Sequence, residues 1–160
     1  MKTLQASIAT ADLVQRMREQ LGGTQARAAR VVWQERARRL LIHLDSLQHR
    51  AVDGWLVCNL DLQTDQAGRQ TLQFVFFLGR KREGDGPQAG ATINAATAQA
   101  AQLAEQWGAQ VQRVLWDAVL DAIEAAMHRA GERKPKAELT LRGFHCTNEA
   151  LNVEVLTGAL

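Results

Sequence analysis

The stretch from Gly54 to Arg80, GWLVCNLDLQTDQAGRQTLQFVFFLGR, constrains the fold most, because two alternating apolar runs flank a polar turn. It predicts a long β-hairpin. An antiparallel register centred on Ala67 sets Leu62 opposite Leu72, Leu60 opposite Phe74, Cys58 opposite Phe76 and Leu56 opposite Leu78. A slip by one residue would bury Asn59, Asp61 and Gln73 instead, so alternation favours the apolar pairing. The second face is polar near the turn, at Asp61 and Gln73, but away from it Trp55 and Val57 meet Phe77 and Gly79. FVFFL is apolar on both sides, as in a strand covered on both faces. The expected cover is either the N-terminal helices or another copy of the chain.

Upstream of the hairpin, Leu13, Val14, Met17 and Leu21 recur at helical spacing and Gly22-Gly23 ends the segment, which predicts a short helix over 11–21. Thr24 can cap a second helix over 24–50, with an apolar stripe of Ala26, Ala29, Trp33, Ala37, Leu40, Leu44 and Leu47. Residues 1–51 are thus expected to form an N-terminal helical segment.

Downstream, KREGDGPQAG is a turn-rich connection. Ile93, Ala96, Ala100, Leu103, Trp107, Val111, Val114, Ala118 and Ala122 then keep helical phase, predicting a long helix over 91–131. A second stripe of Trp116, Val119, Leu120, Ile123 and Met127 implies packing on two sides. Pro135 ends the helical region, and AELTLRGF pairs with ALNVEVL across HCTNE in a second hairpin over 136–157. A register centred on Thr147 places Leu141 opposite Val153, Leu139 opposite Val155 and Gly143 opposite Leu151.

The expectation is therefore a single α+β domain over 1–160, in the order ααββαββ: an antiparallel sheet from two hairpins against a long helix, with two N-terminal helices. A chain of 160 residues suits one domain. From residue 54 onward the order strand, strand, helical region, strand, strand resembles that of the tunnelling-fold proteins, which join several subunits into barrels. That resemblance in element order implies sheet-to-sheet oligomerisation.

A net charge of +2 is too small to demand a polyanionic partner. Its distribution is uneven, since the segment 24–50 holds six arginines against Glu35 and Asp45. On a helix, Arg36, Arg39, His43 and Arg50 would share one edge able to track phosphates, and Arg80, Lys81 and Arg82 could extend it. The same charges also suit a solvated helix flank, because Arg27, Arg30 and Arg38 fall on the opposite side.

Asp117, Asp121, Glu124 and His128 form an acidic strip at helical spacing, which suits either divalent-metal or acid–base chemistry, or a plain solvent-facing strip. His145-Cys146 places a thiol beside an imidazole, but adjacent residues in a strand or turn generally point apart. Cys58 faces Phe76 and reads as an inert core thiol, although a disulfide with Cys146 is compatible with the sequence. HExxH, CxxC, GxGxxG and GxxxxGK[ST] are absent, so no metal, cofactor or catalytic residue is expected. The N-terminus lacks a signal-peptide core and no window is apolar enough for a membrane span, so a soluble cytoplasmic protein is expected.

Function expectations follow in order. First comes a non-catalytic assembly subunit that self-associates or joins a complex through Trp55, Val57, Phe77 and Trp116. A nucleic-acid-binding protein using the basic segment is the alternative. Third is a small enzyme with a pocket between subunits, drawing on Asp121, His128 or His145.

Overall fold

The computed structural model describes residues 2–79, 89–132 and 138–158. It has α+β architecture, with antiparallel sheets and a long helix. The element order is β1 (Lys2–Ala9), α1 (Thr10–Gly22), β2 (Arg30–Glu35), β3 (Arg38–Val52), β4 (Trp55–Thr64), β5 (Gly68–Leu78), β6 (Ala89–Ala95), α2 (Ala98–Leu103), α3 (Ala109–Glu132), β7 (Glu138–Cys146) and β8 (Ala150–Gly158). A π-helical turn, Ala104–Gly108, joins α2 to α3.

The first hairpin forms, as β4 and β5, but its register is shifted by two residues. Leu60 faces Leu72, Cys58 faces Phe74 and Leu56 faces Phe76. The turn decides this. Gly68, at φ 71°, closes a three-residue loop opposite Thr64, and the Thr64 Oγ1 accepts a hydrogen bond from Ala67 N at 3.1 Å. A shift of two leaves every side chain on its expected face, so Leu56, Cys58, Leu60, Leu62, Leu72, Phe74 and Phe76 are all buried.

The helix expected over 24–50 is instead the hairpin β2–β3. Val31 and Val32 are β-branched, and Leu40, Ile42 and Leu44 alternate with residues of the other face, a period of two that tertiary pairing exploits. The turn is Arg36-Ala37, with Arg36 at φ 57°, a region L-residues seldom occupy. The β3–β4 ladder breaks between His43 and Gln48. There Ser46 Oγ donates to His43 O at 2.6 Å and accepts from Asp61 N at 2.8 Å, so the hydroxyl fills the interrupted ladder.

The helix expected over 11–21 is present as α1, and the strand β1 precedes it. The long helix begins at Ala98 rather than near residue 91, with Thr97 capping it through a bond from Ala100 N at 3.0 Å. Residues 89–95 form β6 beside β5. Gly108, inside the helical run, lets β6 come close, since a Cβ there would lie 3.0 Å from Ile93 Cδ1. The second hairpin forms as β7 and β8, but Leu141 faces Val155 and Leu139 faces Thr157, with a bulge between Leu141 and Gly143. Pro135 lies outside the described residues.

Two sheets replace the expected one, in the orders β2-β3-β4-β5-β6 and β1-β8-β7. The order from residue 54 is thus three strands, helix, two strands, which departs from the tunnelling-fold order. The helices lie on one face, α1 and α3 packing together and bridging both sheets over a single hydrophobic cluster from Ile8 to Val155. The sheets meet at the β3–β4 turn, where Gly54 N donates to Cys146 O at 2.7 Å.

Candidate functional site

Cross-strand partners share a face, so the ladder identifies what the five-stranded sheet presents away from its helices. Val52 pairs with Trp55, Arg50 with Val57, Trp55 with Phe77 and Val57 with Val75. The Trp55 and Phe77 rings pack with centroids 5.0 Å apart and tilted by 57°. Val52 and Trp55 are 45% and 44% exposed, while Val57, Val75 and Phe77 are half-buried by their neighbours. The helix α1 covers the opposite face, where Met17 Sδ lies 3.8 Å from Cys58 Sγ.

Trp116 does not join this surface. It stacks on the buried Phe76, with centroids 5.9 Å apart, and so belongs to the helix-facing side. Val52 and Val75 were missed by sequence reasoning, although Asp53-Gly54 is a hairpin dipeptide that could have revealed the β3–β4 turn.

Towards the β4–β5 turn the same face becomes polar. Asp61 accepts from Thr71 Oγ1 at 2.6 Å and from Arg69 Nε at 2.9 Å. Burial pushes the Asp61 carboxyl upward, but these two bonds and the nearby positive charges outweigh it and hold the group below its ordinary value of 3.8.

The basic residues are dispersed. Arg36 and Arg39 sit with Arg38 at the exposed β2–β3 tip, but β3 carries Arg50 up to about 36 Å from Arg39 at ~3.3 Å per residue. His43 is only 4% exposed and bonds to Gln63 at 2.9 Å, so it is withdrawn from any phosphate. Arg80, Lys81 and Arg82 lie outside the described residues. At the tip, Arg38 lies over the Trp107 ring at 4.6 Å and 3.7 Å from Glu35, beside a cleft of about 250 Å³.

Asp117, Asp121, Glu124 and His128 are exposed along α3, where Asp121 accepts from Gln20 of α1 at 2.5 Å. No group of three metal-ligating side chains occurs among the described residues. Cys58 and Cys146 are both buried free thiols rather than a disulfide. Burial drives Cys58 up to about 12, with the Cys146 charge adding to it, and drives Cys146 up to about 11. His145 bonds to Gly79 O and to the Asp53 carboxylate, so it points away from a role in activating Cys146. Among the described residues, no helix is long and apolar enough to cross a membrane. Comparison with protein-family models, curated proteins and solved structures finds no match for this chain.

Proposed function

We propose that this chain is a non-catalytic assembly subunit that associates with a second copy of itself through the outer face of the five-stranded sheet. The observation that carries the reading is the cross-strand pair Val52–Trp55, nearly half exposed on the side away from the helices. Two such sheets can pack face to face at about 10 Å, leaving the polar end around Asp61 and Gln73 in water. Trp55, Phe77 and Arg50 on this face are of residue types enriched at protein interfaces. Buried, unpaired thiols suit a reducing compartment such as the cytoplasm.

Light scattering on Val52→Thr/Trp55→Gln tests the reading. Both side chains are substantially exposed, so the variant is expected to keep its circular dichroism and melting temperature while the wild-type oligomer falls to a monomer. A wild-type monomer at high concentration, or unchanged assembly of a folded variant, removes the proposal.

A second reading has its own support in the clustering of Arg36, Arg38 and Arg39 at one hairpin tip. On that reading the tip grips nucleic-acid phosphates. Binding should then weaken steeply with salt, and the salt slope should drop by about 2 in Arg36→Ala/Arg39→Ala as two phosphate contacts are lost. Salt-independent binding, or a double variant with the wild-type slope, eliminates it.

A further inference from the structure

The end of the apolar face is fixed from the other sheet. His145, on β7, reaches across to the β3–β4 turn and to the end of β5: its Nδ1 lies 3.0 Å from Gly79 O and its Nε2 2.5 Å from Asp53 Oδ1. A backbone carbonyl only accepts, so Nδ1 must carry a proton. Between Nε2 and a carboxylate there must be a second proton, and an imidazole nitrogen, a stronger base than a carboxylate oxygen, carries it. The ring therefore holds two protons when both bonds are made. Losing one leaves two acceptors facing each other at one of the two contacts.

This clamp bears directly on the proposed docking face. The turn between Val52 and Trp55 consists of Asp53 and Gly54, with Gly54 at φ 81° and Asp53 without a positive φ. That pattern corresponds to a type II turn, whose twist tends to splay a two-residue hairpin. The turn is therefore tied from outside, by Gly54 N to Cys146 O and by His145 to Asp53, and it positions the two exposed large apolar residues of the patch. Among the described residues, Glu154 on β8 lines the same cleft of about 290 Å³ as the imidazole, and it pairs with Arg142 on β7 at 3.8 Å.

We propose that His145 and Asp53 form a proton-dependent clamp that holds Val52 and Trp55 in their docking arrangement, so that self-association strengthens in mild acid and weakens as the pH rises. This rests on the self-association reading above, and the experiment separates the two. Sedimentation of wild type and His145→Gln at pH about 6 and about 8 is read alongside the ¹⁵N resonances of the His145 ring and the Trp55 indole. The proposal expects both ring nitrogens of wild type to be protonated at the lower pH, and the Trp55 resonance to move with the same midpoint as His145.

Wild-type association should weaken about threefold across that range, because the Asp53 side chain is 68% exposed and solvent screens the pair, whereas His145→Gln should be weak and insensitive to pH. A Trp55 resonance that ignores the titration of His145, or a ring carrying one proton throughout, overturns the clamp. Movement of Trp55 with His145 in a protein that stays monomeric at both pH values upholds the clamp and rejects self-association.

Discussion

Cys58 shows how a residue's surroundings decide its chemistry. It lies under Met17 in the core, and burial raises its thiol from an ordinary 9.0 to about 12, with Cys146 raised to about 11. At neutral pH neither offers a useful fraction of thiolate, so alkylation by iodoacetamide should be slow in the native protein and fast in denaturant. The same shifts make a stability prediction. A raised folded-state value means that above pH 9 the unfolded chain has released thiol protons that the folded chain retains. The thiols' contribution is thus fully present below pH 9 and is lost as the pH climbs towards 11 and then 12. Urea melts across the alkaline range should show falling stability, with a shallower fall in Cys58→Ala; an equal slope in the variant would show that Cys58 does not contribute.

Among the elements, the hairpin β2–β3 is the instructive one. Its turn depends on Arg36 at φ 57°, where a side chain is strained by about 1 kcal/mol, so Arg36→Gly should raise stability by about 0.5–1 kcal/mol in urea denaturation. A variant less stable than wild type would mean that the arginine side chain makes a compensating contact. The same turn explains what the sequence left illegible. Without Gly, Pro or Asn at 36–37 the turn has no local signature, and Trp33, Leu40, Leu44 and Leu47 satisfy a helical period as readily as a strand. β4–β5 was legible because alternation ran for many residues around a polar turn, and α1 because Gly22-Gly23 marked its end. The register error came from locating the loop by symmetry rather than by Gly68, whose left-handed backbone sets it. β1 was hidden for a different reason, since its partner β8 stands at the opposite end of the chain. For the candidate site, Trp55, Val57 and Phe77 were legible from the apolar second face of the hairpin, whereas the inward position of Trp116 depends on how α3 packs against Phe76.

At the scale of the whole molecule, one layer of helices serves two sheets, and it leaves the outer face of the larger sheet uncovered around Val52 and Trp55. The four tryptophans are distributed so that assembly can be located as well as detected. Trp107 and Trp116 project from the helical run onto the sheet, against Arg38 and Phe76, and Trp33 donates its indole N–H to Leu21 O at 3.1 Å. Trp55 alone stands substantially exposed among them. The most direct measurement is therefore the set of indole ¹H–¹⁵N resonances followed through a dilution series, with Trp55 assigned by Trp55→Phe. Self-association through the proposed face predicts that the Trp55 resonance shifts with concentration while those of Trp33, Trp107 and Trp116 stay in place; a Trp55 resonance unchanged from dilute to concentrated protein would contradict it.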